Sequence, residues 1–298
     1  MTRRKIQFIF YLVSLLIVTI VFIWIIKKTN GIAAENSHIE QFFNNAWATD
    51  NLWDDGKAEV AIYDAERIIY GKNRHYDHVY ILVKETFNKE YNVKTDDYSR
   101  NDLFDVMKVN KFARIETDRY PYNYLSSLFF KRNSPAQLYK FTNSSQEWCG
   151  NTFKNIDRHH TGYIYDFNSY WDSQGIGTNT LPLNILFEDQ LSYTLRTLNF
   201  EDQMSFNCQI LESQITNKAN NPEIYKATVS VREINDLPVE LEDFIQGGLW
   251  EVSVNLSSDK KNFYWFSGIY PNELLKMETW DGRRMLLKSI TRDAYWLD

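Results

Sequence analysis

Cysteine is scarce in this chain, which has only Cys149 and Cys208 among 298 residues. The stretch Trp148-Cys149-Gly150 looks like the opening of a dithiol redox site, but such a site needs a second cysteine three positions later, and residue 152 is Thr. Dithiol chemistry is therefore excluded. Cys149 could be a lone nucleophile, one half of a disulfide with Cys208, or a buried thiol that packs with Trp148 in the core.

Motifs for catalysis and cofactor binding are also lacking. The chain has no Walker loop, no serine elbow and no zincin helix, and Gly175-Ile176-Gly177 lacks the third glycine of a dinucleotide loop. Histidine occurs five times, and His75 with His78 falls short of the three or four ligands that a metal site needs. We predict a solvated loop at that pair, no metal and no cofactor. An enzyme is the less favoured alternative, with Glu147, Cys149 and His159 as its catalytic residues.

Long hydrophobic runs are absent except for one, Ile6 to Ile26, which carries no charge over 21 residues. A helix of that length is about 31 Å long and matches the hydrocarbon core of a bilayer. Because three basic residues precede the run and two follow it, we predict a single-pass membrane anchor with a cytoplasmic N-terminus and the rest of the chain outside the cytoplasm. A cleaved signal peptide is the alternative.

Basic residues are few beyond the apolar run. Residues 31–298 hold 28 Lys and Arg against 39 Asp and Glu, a net charge of −11. Nucleic acid is therefore not an expected partner, because its binding needs a basic face.

Alternation of apolar and polar residues predicts a mainly β body. Residues 225–231 and 250–256 alternate strictly, and residues 57–70, 79–83 and 263–266 also favour strands. Asp281-Gly282 between residues 275–280 and 283–290 predicts a tight hairpin. The chain is expected to end in an antiparallel meander.

Helical spacing is limited to two places. Residues 182–198 have apolar positions at helical spacing, which predicts one helix packed on the sheet, and residues 39–47 predict a shorter one. We therefore divide the chain into an anchor at 1–28, a juxtamembrane segment with a short helix at 29–50, and a single extracytoplasmic domain at 51–298.

Several segments carry a resemblance to a family. The signature Gln146-Glu147-Trp148-Cys149-Gly150, with "KAEVAIYDAERIIYG" from Lys57, "VYILVKETFN" from Val79 and "YPYNYLSSLFF" from Tyr120, resembles an uncharacterised family of bacterial envelope proteins. Its members are often lipoproteins and often carry the label "septum formation inhibitor Maf". The label implies a Ser-x-Ser-Pro-Arg-Arg motif, and "RNSPAQ" from Arg132 lacks its arginine pair. Nucleotide hydrolysis is therefore not expected.

The second half, from Phe187 onward, resembles periplasmic half-barrel proteins of unknown function. This resemblance implies a curved antiparallel sheet, half-barrel-like, with one or two packing helices and a concave face for a ligand. The expected function is that of a membrane-anchored envelope protein that binds a lipid-like or polymeric envelope ligand or a protein partner. The alternative is a hydrolase or transferase that acts on envelope glycan or lipid.

Overall fold

The computed structural model describes residues 18–19, 39–219, 221–235, 238–242, 244–245 and 247–297. Phe42–Asp298 form one compact unit, and Met1–Gln41 form a second. The predicted anchor lies almost wholly outside the described residues. Among those that are described, no helix is long and apolar enough to cross a bilayer.

Sixteen strands in the described ranges belong to one sheet. They are β1 (Ala58–Ile69), β2 (Lys72–Asn88), β3 (Val93–Lys94), β4 (Leu103–Ile115), β5 (Tyr122–Lys131), β6 (Leu138–Glu147), β7 (Gly150–Arg158), β8 (Tyr163–Ser169), β9 (Ile176–Leu181), β10 (Leu186–Phe187), β11 (Ser205–Leu211), β12 (Ile224–Ile234), β13 (Leu249–Asn255), β14 (Lys261–Ser267), β15 (Leu274–Glu278) and β16 (Arg284–Asp293). The prediction of a mainly β body is confirmed.

Most strands that are neighbours in the sheet are also consecutive along the chain. Neighbouring strands run in the order β10 to β16, then β1, β2 and β4 to β9, with β3 beside β2. All pairs are antiparallel except β10 with β11. Only four residues join the two edge strands, between Leu181 at the end of β9 and Leu186 at the start of β10. The Cα atoms of these two residues are five chain steps of about 3.8 Å apart, so they lie within about 19 Å of each other. The sheet therefore curves round until its edges nearly meet.

The two ends of this curved sheet are named from β1. We call the end at Ala58 proximal and the end at Ile69 distal. The proximal end also holds the one-turn 3-10 helices Trp47–Thr49 and Asn51–Asp54, whose tryptophans, Trp47 and Trp53, are buried. Residues 42–50, assigned from sequence to the juxtamembrane segment, thus belong to the compact unit of the sheet.

The interior of the sheet is filled by residues 185–198, which we call the inner segment. All fourteen of these residues are buried. They comprise β10, the 3-10 turn Glu188–Gln190, a one-turn α-helix α1 (Leu191–Thr194) and the 3-10 turn Leu195–Thr197. The predicted helix over 182–198 is thus wrong in length. The segment is buried throughout, and its side chains bond to other parts of the chain, such as the Glu59 carboxylate and the Pro135 carbonyl, where a one-sided helix would face solvent.

The predicted hairpin near the C-terminus is present with a shifted turn. The Gly282 amide donates to the Thr279 carbonyl at 3.0 Å, so Trp280 and Asp281 are the central residues of the turn. Gly282 follows with φ +82° and forms the bulge that often completes such a turn. The strand predictions at 57–70, 79–83, 225–231, 250–256 and 263–266 are confirmed.

Candidate functional site

The inner segment carries charged side chains into the interior, and each has partners on the sheet. Arg196 is 1% exposed and pairs with Glu59 of β1 at 2.6 Å and 2.9 Å. Its Nε donates to the carbonyls of Pro271 and Asn272 at 3.1 Å and 3.0 Å. Arg196 therefore fastens the proximal part of the inner segment to β1 and to the β14–β15 loop.

The distal part of the inner segment meets a second ion cluster. Arg283 donates from Nη2 to Glu188 at 2.5 Å and from Nε to Asp281 at 2.8 Å. Asn262 of β14 also donates to Glu188, at 3.3 Å. Burial raises the pKa of Glu188, although the neighbouring Arg283 opposes that shift.

Residues 212–219, which we call the strap, cross the distal end of the interior. The Ser213 hydroxyl and the Gln214 amide both donate to the Asp189 carboxylate at 2.6 Å. Lys154 of β7 donates to the Gln214 carbonyl at 2.7 Å. Burial lowers the pKa of Lys154 to about 8. The strap therefore links the inner segment to the sheet through polar contacts.

A cavity of about 50 Å³ lies between the inner segment, the strap and the sheet. Its walls contain three cationic side chains and two carboxylates. The residues that line it are Arg67, Tyr76, His78, Lys111, Ala113, Glu188, Asp189, Ser192, Ile215, Tyr264, Met277, Thr279, Arg283 and Met285. The concave face that the half-barrel resemblance implies is thus occupied by the chain itself, and the space left in it is lined by charged side chains together with apolar ones.

His78 is the least satisfied polar group of this cavity. It is 8% exposed, and neither ring nitrogen has a hydrogen-bond partner in the structure. Burial lowers its pKa from 6.5 to about 3, with further lowering by Lys111, Arg67 and Arg283. The imidazole is therefore neutral at pH 7, with one N–H donor and one acceptor nitrogen open to a ligand.

The low pKa of His78 predicts a loss of stability in acid. In the unfolded state His78 binds a proton below about pH 6.5, whereas in the folded state it does so only below about pH 3. The free energy of unfolding therefore falls as the pH falls from 6.5 to 3. Within this pH range, His78 lowers the free energy of unfolding by about 1.4 kcal/mol for each unit by which the pH falls. Urea unfolding at pH 7, 6 and 5 should show a shallower pH dependence for His78→Leu than for the wild type. His75→Leu, at an exposed site on the same strand, should keep the wild-type dependence, and equal slopes for all three proteins would contradict the assignment.

A larger groove of about 460 Å³ opens at the proximal end. Its aromatic wall is Phe104 of β4 with Tyr139 of β6, whose ring centroids lie 5.3 Å apart in an edge-to-face arrangement. The Lys131 ammonium lies 5.0 Å from the Tyr139 centroid and 5.8 Å from that of Phe104. The full lining is Thr49, Lys89, Phe104, Asp105, Lys131, Arg132, Asn133 and Tyr139.

Two of the three cations in the groove are available to a ligand. Arg132 is fixed by Asp54 at 3.0 Å and 3.1 Å and by the Ala48 carbonyl at 2.8 Å. Among the described residues no ion pair involves Lys89 or Lys131, and both are exposed. The groove therefore presents two unpaired ammonium groups beside an aromatic wall.

The family-signature residues lie at the turn between β6 and β7, at the distal end. Trp148 is 78% exposed and stacks on Tyr120, with 5.9 Å between ring centroids. Cys149 is also exposed, and its Sγ lies 3.8 Å from the Tyr120 hydroxyl. The prediction that Trp148 and Cys149 pack in the core is wrong, because a turn residue at the sheet end projects into solvent.

The other three signature residues have structural contacts. Glu147 accepts from Asn217 of the strap at 2.9 Å. The Gln146 side-chain amide donates to Ser144 at 3.4 Å. A Cβ on Gly150 would lie 2.3 Å from Cγ of Tyr170, so the backbone approaches the Tyr170 side chain too closely for any other residue.

The structure does not bring the alternative catalytic residues together. Glu147 and Cys149 lie at the distal end, whereas His159 follows the last residue of β7 at the proximal end. Eight steps of about 3.3 Å along β7 separate the two ends by about 26 Å. Cys149 and Cys208 are both free thiols, so the disulfide alternative is not formed. Burial raises the pKa of Cys208 to about 12.

His75 and His78 are on β2 and not in the predicted loop. Three positions apart on a strand, they point to opposite faces, so that His75 is exposed and His78 is buried. In the part of the chain that the structure describes, no three His, Cys, Asp or Glu side chains are placed to hold a metal ion.

Lys111 and Lys154 were missed from the sequence, and His78 was named there but assigned to a solvated loop, whereas all three are buried. Each of the three side chains points inward from its strand. Along β2, for example, His78, Tyr80 and Leu82 are two positions apart from one another and are all buried. Period-two alternation extended through the polar residues would have marked all three as inward-facing.

Comparisons with known proteins give structural neighbours of unknown function. No family model matches the chain. No curated protein matches it either. A β-barrel-like protein with a domain of unknown function, DUF1849, from Brucella abortus is similar at a TM-score of 0.48 and 11% identity, over 80% of this chain and 98% of that one. A DUF1089 family protein from Pseudomonas aeruginosa has a TM-score of 0.36 and 11% identity, over 56% of this chain and 82% of that one. The resemblance to the envelope family stays a prediction, and the chain is similar to β-barrel-like proteins whose function is not known.

Proposed function

We propose that the protein is a membrane-anchored, extracytoplasmic binding protein whose proximal groove takes the anionic headgroup of a lipid-like envelope ligand. The observation that carries this proposal is the pair of unpaired lysines, Lys89 and Lys131, beside the aromatic wall of the groove. A volume of about 460 Å³ lies in the range typical of small-ligand sites.

Charge favours an anionic ligand in this groove. Residues 31–298 have a net charge of −11, and the groove differs from the rest of this surface because it holds a local group of cations. Such a group attracts a ligand of negative charge. Phe104 and Tyr139 supply apolar surface for the first carbons of a chain or a sugar ring. The interior cavity, at about 50 Å³, is too small for such a ligand.

The position of the groove agrees with attachment to a membrane. The described part of the sheet unit begins at the proximal end, where Phe42 stacks on Phe206 at the start of β11. The same end exposes Tyr91, Tyr98 and Trp296, residue types that are enriched where proteins meet lipid headgroups. The uncharged run at 6–26 supplies the anchor in this proposal.

The test measures binding of a short-chain anionic phospholipid by the full-length protein purified in a mild detergent. Dihexanoyl phosphatidylglycerol is expected to bind, and dihexanoyl phosphatidylcholine is expected to bind at least tenfold more weakly. Lys131→Met keeps the aliphatic packing on the rings but removes the charge, and should weaken binding about tenfold because a charge-assisted contact contributes about 1.4 kcal/mol.

The matched control is Lys261→Met. Lys261 also lies over an aromatic ring, 4.7 Å from the centroid of Phe263, but on β14, outside the groove. It should leave the affinity unchanged. Equal binding of the two lipids, or equal weakening by the two variants, would refute the lipid headgroup and leave an envelope polymer or a protein partner as the ligand to test.

A further inference from the structure

We propose that the interior cavity is a binding site for a small monovalent anion of about the size of bromide or nitrate, separate from the proximal groove. The cavity of about 50 Å³ has room for a few water-sized bodies or one such ion, since a single water needs roughly 10–15 Å³ by the same measure. It is lined by the inner segment, the strap and the inward faces of β14, β15, β16, β1, β2 and β4.

His78 supplies the first reason for a ligand here. The side chain is more than nine-tenths buried, lines the cavity, and has no hydrogen-bond partner at either ring nitrogen. A buried polar group left in this state costs free energy, and a native protein normally supplies a partner. An acceptor in the cavity would take the N–H of the imidazole.

The cations of the cavity supply the second reason. Lys111 is 8% exposed and donates to the backbone carbonyl of Asp189 at 2.5 Å, and Arg67 donates to that of Ile215 at 2.8 Å. In the described ranges neither has a carboxylate within ion-pair distance. The Asp189 and Glu188 carboxylates act on Lys111 from a distance and supply part of its counter-charge. A water molecule would satisfy His78 alone, whereas an anion would also place negative charge beside Lys111 and Arg67.

The two carboxylates that line the cavity already accept hydrogen bonds. Glu188 accepts from Arg283, which is also paired with Asp281. The two oxygens of Asp189 accept from Ser213 and from the Gln214 amide. Three cationic and two anionic side chains line the cavity, and the imidazole N–H of His78 is an open donor in it, which favours an anion over a metal cation.

The test compares thermal unfolding of the full-length protein in sodium bromide, sodium nitrate and sodium gluconate at constant ionic strength. Bromide and nitrate should raise Tm in a saturable manner, and gluconate should not because it is too large to enter. Lys111→Met should abolish the difference between the salts. Lys261→Met, which removes a lysine that lines neither the cavity nor the proximal groove, should retain it.

A second measurement locates the ion directly. Crystals soaked in bromide should show an anomalous peak within hydrogen-bond distance of a ring nitrogen of His78 and of Nζ of Lys111. Bromide peaks confined to the surface, or an equal salt response in Lys111→Met and the wild type, would overturn the proposal.

Discussion

Replacing Arg196 with Met is expected to lower the free energy of unfolding by about 3–5 kcal/mol, because it leaves the buried Glu59 carboxylate without its cation. Both side chains are almost completely buried, and the pair is bidentate at 2.6 Å and 2.9 Å. The substitution also removes the donors to the carbonyls of Pro271 and Asn272. Urea unfolding followed by tryptophan fluorescence measures the loss.

Two further variants separate ion-pair burial from simple loss of charge. Arg114→Met removes the arginine of an exposed pair, which is joined to Glu116 at 2.8 Å, and should cost less than about 1 kcal/mol. The double variant Glu59→Leu/Arg196→Met should recover part of the stability lost by Arg196→Met, since no unpaired carboxylate remains. If Arg196→Met costs no more than Arg114→Met, the inner segment is not held by this pair.

Replacing Trp53 with Ala is expected to cost about 3–5 kcal/mol, since it empties a large enclosed volume. Trp53 is 1% exposed, with its ring centroid 5.0 Å from that of Trp47 and the Arg292 guanidinium 5.0 Å above it. These contacts attach the segment before β1 to the proximal end of the sheet. Unfolding in urea, at fixed pH and salt, measures the change.

The same substitution at Trp148 provides the matched control. Trp148 is 78% exposed and has one ring neighbour, so Trp148→Ala should change stability by no more than about 0.5–1 kcal/mol. Similar losses at the two tryptophans would mean that the β6–β7 turn is packed against something in solution.

Strand positions could be predicted because their signal is local. In β12, Tyr225, Ala227 and Val229 face inward and alternate with polar residues, and this pattern identifies a strand with one wet face. The pairing of β16 with β1 has no comparable signal. It follows from the curvature of the whole sheet, to which every strand contributes a small rotation.

The inner segment shows where periodicity misleads. Leu191, Leu195 and Leu198 recur at helical spacing and indicate one wet and one dry face, yet Ser192, Thr194 and Arg196 between them are buried as well. Their partners come from distant parts of the chain, including the Pro135 carbonyl and the Glu59 carboxylate. A sequence window around the segment contains none of those partners, so the burial of its polar face could not be predicted.

The candidate groove was equally beyond prediction. Its residues come from Thr49, the end of β2, the start of β4, the β5–β6 turn and Tyr139, and only the strand order brings them together. The signature around Cys149 drew attention because Trp, Cys and Gly are conspicuous neighbours, but conspicuous residue types at a turn indicate little about what they contact.

The pairing of β1 with β16 has a consequence for biogenesis. β1 can form a hairpin with β2 soon after synthesis, but its other edge has no partner until the last strand, more than 200 residues later, has been made. Contacts over such sequence separations form slowly, and an exposed strand edge invites pairing with other chains. The chain would thus stay vulnerable to aggregation until its last strand has been made, and a protein truncated before residue 284 would keep that edge open permanently.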